Sequence, residues 1–255
     1  MMKFTNRQKL IYDYIKKNHE VSTNSIAQYF NISPVTVRRY LDCLESSNLI
    51  IRKYGKAILS SVPDKIAPFS VRSGINEDLK QRIAKLSLPY LLNTSSAFLD
   101  ASSTATELLK LIPVTQQMTI YTTNAAAFQY LSGRPHVRLF MLGGYLNPED
   151  GLTLDSKLTA NIAKSIFPES AFISCAGFTK DGIFDNVNID ITNVKQIILK
   201  NTTRNYLLAD HTKHNKKGIF QIASWDQVQT LICDSPFNKL TERVLESKKV
   251  KIITQ

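Results

Sequence analysis

Apolar residues in the first 45 positions recur at helical spacing. Leu10, Ile11, Tyr14 and Ile15 make one stripe, which predicts a first helix ending near Asn18. Thr5 and Gln8, three residues apart, are placed to open it as a capping box. Ser22 is set to cap a second helix whose apolar positions are Ile26, Ala27 and Phe30, and Asn31-Ile32 makes the following turn. Ser33 caps a third helix, because its hydroxyl can accept from the free amides of the first turn. Pro34 costs nothing there, since that amide has no intrahelical partner. Val37, Leu41 and Leu44 then share one face, while Thr36, Arg38, Arg39 and Asp42 lie off it. Two β-rich runs, 49–52 and 57–59, flank the basic turn Lys53-Tyr54-Gly55-Lys56 and predict a hairpin.

Three helices and a basic hairpin together predict a winged helix-turn-helix over residues 1–59. The stretch 60–68 is small and polar, carries two prolines and reads as a linker. From residue 69 to 255 the spacing changes. Short apolar runs at 97–99, 119–121, 137–141, 171–175, 206–208, 230–233 and 250–253 predict strands. Helical stretches near 77–92, 104–112, 125–131, 156–166, 191–201 and 238–247 alternate with them. That alternation predicts a Rossmann-like, mostly parallel α/β domain with its sheet covered on both faces.

Charge adds direction to this picture. The net charge is +11, and residues 1–60 hold ten Lys/Arg against four Asp/Glu, more than half of the excess. Positive charge concentrated at one end points to a polyanion met by that segment, a nucleic acid or an acidic membrane surface. A capped helix with hydroxyl and guanidinium groups opposite its buried stripe suits a DNA major groove, whereas the plainer reading is a solvated surface helix. No apolar run approaches a membrane span and no secretory signal opens the chain, so a cytoplasmic protein is expected. Three scattered cysteines, Cys43, Cys175 and Cys233, read as small buried hydrophobes.

In an open parallel sheet, ligands bind beyond the carboxyl ends of the strands. Those ends carry Asp100-Ala101-Ser102-Ser103-Thr104, Thr122-Thr123-Asn124, Gly143-Gly144, Cys175-Ala176-Gly177 and Asp210-His211-Thr212-Lys213. Hydroxyls and amides opening a helix, glycines and one lysine are what a small polyhydroxy anion needs. Each loop also has an ordinary explanation as a cap or a turn. His211 and His214 have a spacing that a metal could use, but the lysines at 213, 216 and 217 make a poor cation environment, and no metal or cofactor is expected. Asp100, Asp210 or Lys213 could also serve as acid or base in a sugar-phosphate isomerase-like enzyme.

With these residues in view, the chain resembles the DeoR family of bacterial sugar-metabolism regulators along nearly its whole length. The likeness rests on Ile26-Ala27, Phe30, residues 35–39, Leu41, Leu44 and Gly55, then on Phe69, Arg72, Asn76, Lys80 and Ile83-Ala84. It continues at Asp100 with Ser103-Thr104, Thr123-Asn124, Gly143-Gly144, Ala171-Phe172-Ile173 with Gly177, and Ala209-Asp210-His211 with Lys213. The resemblance implies a transcriptional regulator, usually a repressor. It would bind double-stranded operator DNA and a phosphorylated sugar, act as a homo-oligomer, and have a sensor fold similar to sugar-phosphate isomerases. DNA contacts are then expected from Ser33, Val35, Thr36, Arg38, Arg39, Arg52, Lys53 and Lys56. Effector contacts are expected from Asp100, Ser102, Ser103, Thr104, Thr123, Asn124, Gly143, Gly144, Gly177, Asp210 and Lys213. The chain departs from the family's pattern at Tyr40, Asn48, Lys56, Asp155 and Ser174, and near Asn193, where the usual acidic residue is absent or displaced to Asp190.

Overall fold

The computed structural model describes residues 6–46, 49–59, 69–148, 150–186 and 189–254, in two compact units, 1–75 and 76–255. Thr5 of the capping box, Asn48 and the stretch 60–68 lie outside the described residues.

The first unit begins with α1 (Asn6–Asn18), β1 (Glu20–Ser22), α2 (Thr23–Phe30) and α3 (Pro34–Ser46). β2 (Ile50–Lys53), β3 (Lys56–Leu59) and the short α4 (Phe69–Gly74) follow. Ile11, Ile15, Ile26, Val37, Leu41, Leu44 and Ile50 form its core. Leu10, expected on the buried stripe, is 55% exposed instead, and α1 meets the core through Ile11 and Ile15 with Tyr12 and Tyr14 packed beside them. Both expected caps form: Ser22 Oγ accepts from Ser25 N at 3.0 Å, and Ser33 Oγ from Thr36 N at 3.2 Å. Asn31 takes the left-handed conformation that ends α2 (φ 49°), which asparagine tolerates better than most residues. The strand β1 was not legible in the sequence. It pairs with β3 to give a three-stranded antiparallel sheet in the order β1-β3-β2.

The second unit opens with α5 (Glu77–Leu92), β4 (Ser96–Leu99), α6 (Ser103–Leu111) and β5 (Met118–Thr122). Next are α7 (Ala127–Leu131), β6 (Val137–Met141), β7 (Tyr145–Leu146), β8 (Leu154–Asp155) and α8 (Lys157–Lys164). Then come β9 (Ser170–Ile173), β10 (Gly177–Thr179), β11 (Gly182–Asp185) and α9 (Ile189–Asn201). The chain ends with β12 (Arg204–Leu208), β13 (Phe220–Ala223), β14 (Thr230–Ile232), α10 (Lys239–Ser247) and β15 (Lys251–Ile253).

All seven expected strands join one parallel sheet in the order β15-β14-β12-β9-β4-β5-β6. Alternate side chains along each strand enter opposite cores. Phe98, Ala171, Ile173, Leu207 and Leu231 face one, whereas Ala97, Leu99, Phe172, Leu208 and Ile232 face the other. The expected helices are present, with bounds differing by a residue or two. Two small antiparallel sheets were not anticipated: β7 with β8, and β10-β11-β13. Their strands are two to four residues long, and their pairing is set by partners outside each segment.

The chain runs outward from β4 through β5 to β6, then returns to lay β9 on the other side of β4. In open parallel sheets such a reversal of winding marks the ligand crevice, which here falls beyond the carboxyl ends of β4 and β9. The run expected as strand through Cys175 ends at Ile173, so Ser174 and Cys175 leave the sheet at that crevice.

Candidate functional sites

In the first unit, α3 turns Val35 (72% exposed), Arg38 and Arg39 to solvent. The Ser33 and Thr36 hydroxyls lie 2.9 Å apart, so both serve the helix start. Arg38 makes no ion pair among the described residues, and Arg39 lies over the Tyr40 ring at 5.7 Å. Tyr40 itself packs against the core, which explains an aromatic residue at that position.

The wing cations divide into two kinds. Arg52 reaches Asp42 at 2.6 Å and Glu45 at 2.7 Å, bracing the hairpin against α3. Its hydrogen bond to Glu45 raises its pKa above the ordinary arginine value, against a lowering by burial. Lys56 pairs with Glu20 at 2.5 Å. Lys53, on the same hairpin, is exposed and makes no ion pair among the described residues.

In the second unit, the crevice is centred on Asp100, the residue after β4. Its Oδ1 accepts from Ser102 N at 3.1 Å, and its Oδ2 accepts from Ser174 N at 2.9 Å. Lys195 of α9 lies 3.0 Å from the same Oδ2 and 2.7 Å from Asp185 Oδ2, and it donates to Ser174 O at 2.9 Å. All three charged groups are buried. Burial alone would lower the Lys195 pKa, but Asp185 and Asp100 together hold it above the usual lysine value. A buried ammonium between two carboxylates stays charged because both counterions are desolvated with it.

Lys213 enters from the far side of Ser174. Its ammonium donates to Cys175 O at 2.5 Å and Ser174 Oγ at 3.3 Å, both neutral acceptors. Asp210 is turned to the backbone, where its Oδ1 accepts from Thr212 N and Thr212 Oγ1. Ser102 Oγ caps α6 through Ala105 N at 3.0 Å. The adjacent Ser103 and Thr104 hydroxyls make no hydrogen bond among the described residues, and neither does the Thr123 hydroxyl. Asn124 is fully buried, donating to Thr106 Oγ1 at 2.8 Å and accepting from Ala126 N at 2.9 Å.

The expected glycines have structural duties. Gly144 sits at φ +112°, where a Cβ would come within 2.5 Å of Thr159 Oγ1 and 2.9 Å of Asp155 O. Thr159 Oγ1 also donates to Gly143 O at 2.7 Å, pinning this loop to the start of α8. Gly177 opens β10 rather than lying in a strand-end loop, and a Cβ there would be 2.3 Å from the Lys216 carbonyl oxygen.

The sequence reading thus reached Asp100, Ser102 and Lys213, which one chain of contacts through Ser174 joins. It missed Lys195 and Asp185. A signal existed for Lys195, a lysine four residues after Ile191 and three before Ile198 on the buried face of α9. Asp185 gave none, since only β11 brings it under α9. Asp185 and Asp100 are the carboxylates that meet Lys195 of this helix, while Asp190 is exposed in the first turn. Also missed was the pairing of His211 with Asp234, 2.7 Å from Nδ1 to Oδ2. Although burial raises the Asp234 pKa, hydrogen bonds from His211 and Ser235 outweigh that and lower it. His214 faces elsewhere, packing against Phe178 and Phe237 and lying 3.3 Å from Thr241 Oγ1. The two histidines therefore do not converge, and no metal-ligand cluster occurs among the described residues. Burial pushes the Cys175 and Cys233 thiols up to about 12, which keeps them unreactive.

Comparison with known proteins covers both units. Residues 7–62 match the family model described as a DeoR-like helix-turn-helix domain, and residues 75–235 match the DeoR C terminal sensor domain. The HTH-type transcriptional regulator GolR of Listeria innocua is 29% identical over 91% of each chain. The glycerol-3-phosphate regulon repressor of Escherichia coli is 26% identical over 92% of each, and the L-fucose operon activator of Escherichia coli 27% over 89% of this chain and 94% of its own. Among solved structures, ribose 5-phosphate isomerase A of Methanocaldococcus jannaschii aligns over 55% of each chain at 15% identity, with a TM-score of 0.38, too slight a likeness to bear on function.

Proposed function

We propose a function from one starting point: the chain belongs to the DeoR family of transcriptional regulators. It is a DNA-binding regulator of transcription rather than an enzyme, as its relatives are, and the isomerase reading is dropped. We infer that it represses a carbohydrate-utilisation operon and is released or engaged by a phosphorylated sugar. The functional division we infer is a DNA-binding domain over 1–59, a linker over 60–68 and a sensor over 69–255. The family models support two domains by ending at 62 and beginning again at 75; they leave α4 between them, and we assign it to the sensor although it packs with the first compact unit. No helix among the described residues is long and apolar enough to cross a membrane. A regulator of transcription works beside the chromosome, so we place it in the cytoplasm.

The observation that carries the effector reading is Lys213. Its ammonium is held by two neutral oxygens, while Asp100 is already matched by Lys195. A partly buried cation without a carboxylate favours an anionic ligand. Ser103 and Thr104, at the start of α6, offer two hydroxyls and the positive end of a helix dipole on the other side of Asp100. Phosphate at Lys213 and the α6 start, with sugar hydroxyls toward Thr123, uses groups that are left over, while Asp210, engaged by Thr212, holds the turn that carries Lys213. On the DNA side, Arg38 and Arg39 enter the major groove with Val35 and Thr36 beside them, and Lys53 meets phosphate.

A thermal-shift screen of phosphorylated sugars on the full chain tests this reading. A selective ligand at 100 times its Kd stabilises by ~2.7 kcal/mol. Lys213→Met abolishes that shift and leaves operator binding in the absence of ligand intact. A chain that no phosphorylated sugar stabilises would refute the effector assignment. Effector control acts through the difference in affinity between two states of the protein. In our reading those states differ in the placement of DNA-binding heads across a homo-oligomer that reads repeated half-sites, which sedimentation on and off DNA checks.

A further inference from the structure

The tip of the wing holds a residue that neither charge nor core packing explains. Tyr54 is fully exposed, and its backbone sits at φ +51°, followed by Gly55 at φ +74°. Lys53 and Lys56 pair across this two-residue turn, so it is of the primed type that requires positive φ at both central positions. Asn-Gly is the favoured pair there, because asparagine enters the left-handed region readily, and a bulky ring in that region is an outlier. The chain therefore accepts backbone strain to put an aromatic ring where it is fully exposed and packs on no other ring or apolar side chain among the described residues.

The turn is also rigidly held. Gly55 O accepts from both Thr23 N and Thr23 Oγ1 at 3.0 Å. Lys56 is tied to Glu20, and Arg52 to Asp42 and Glu45 of α3. Two of the three wing cations are spent on this bracing, which leaves Lys53 and Tyr54 facing outward. An exposed ring on a fixed turn, beside a cation with no ion pair among the described residues and braced against the helix that carries Arg38 and Arg39, has the form of a nucleic-acid contact.

We propose that Tyr54 is a DNA-contacting residue whose ring packs on sugars and base edges of the minor groove flanking the site read by α3, with Lys53 on the adjacent phosphate. Apolar and aromatic groups pack in that groove because its walls are deoxyribose, and a neutral ring contributes affinity without releasing counterions. The inference rests on the DNA-binding reading of the first unit.

The test uses the full chain and a duplex selected by the parent protein from a random pool. Tyr54→Asn keeps the turn in a residue suited to it, so its melting temperature equals or exceeds the parent's. Its affinity for the selected duplex falls roughly tenfold, the size of one interface aromatic, with the salt slope unchanged. Hydroxyl-radical protection of the flanking minor groove is lost with it. Tyr54→Phe keeps the ring and retains near-parental affinity. If Tyr54→Asn binds like the parent, or Tyr54→Phe loses as much as Tyr54→Asn, the proposal is overturned. Should the parent select no duplex, or Arg38→Ala bind as tightly as the parent, the DNA-binding reading itself fails, and Tyr54 falls with it.

Discussion

The DNA-reading face of the first unit and the crevice of the second treat charge in opposite ways. On α3 and the wing, Arg38, Arg39 and Lys53 are exposed with no ion pair among the described residues, and the paired cations Arg52 and Lys56 are spent on holding the hairpin in place. At the crevice, Asp100, Lys195 and Asp185 are buried and matched, and a single lysine is left with neutral acceptors. A surface that meets a polyanion gains from every solvated cation, since each phosphate contact releases a counterion. A pocket for one small anion cannot leave several charges desolvated and unmatched, so its floor must be neutralised by the protein itself. The same residue types are therefore, in our proposal, binding groups in one unit and scaffold in the other.

Removing Lys195 tests that contrast most severely. Lys195→Met leaves two buried carboxylates facing each other, and we expect a loss of about 3–5 kcal/mol in the second unit, read by denaturant unfolding. A variant as stable as the parent would show that the triad does not carry the floor of the crevice. Arg38→Ala should do the reverse, costing about 1–3 kcal/mol of operator affinity while leaving the melting temperature unchanged. The two wing cations sharpen the comparison further. Lys53→Ala should lower the salt slope of DNA binding by about one unit, whereas Arg52→Met should hardly change it and should instead loosen the hairpin by less than ~1 kcal/mol. Equal slopes for both variants would mean that Arg52 leaves its carboxylates when DNA is bound.

The smallest effect concerns pH. Burial lowers the His214 pKa below the ordinary histidine value, so the unfolded chain takes up its proton first as the medium turns acidic. Stability from this group is full above about pH 6.5 and is lost as pH falls below it. A drop of no more than ~2 °C in melting temperature is expected, and His214→Gln should remove it. A variant with the parent's pH profile would assign the slope to other groups.

Much of the architecture is local information, and the sequence carried it. The seven parallel strands, the six longer helices of the second unit and the caps at Ser22 and Ser33 follow from periodicity and from single hydroxyls in the right place. The short strands β1, β7, β8, β10, β11 and β13 escaped, since their pairing depends on partners that the local sequence does not name. Strand-end loops located the crevice because the rule about carboxyl ends needs only strand order and polar residues. Nothing along the chain said that Asp185 and Lys195 would meet Asp100, that Ser174 would bridge them to Lys213, or that Arg52 would be taken by Asp42 and Glu45.

What the sequence by itself determined about this protein is its two-part plan, the exposed face of α3 that we propose for DNA and the sheet edge that we propose for a ligand. Those follow from spacing between neighbours along the chain, where the forces that set them act. Which charges stay free was decided by the tertiary structure alone. An ion pair forms between groups that folding brings within about 4 Å, and that distance is set by how α9 lies over the sheet and how the hairpin lies against α3.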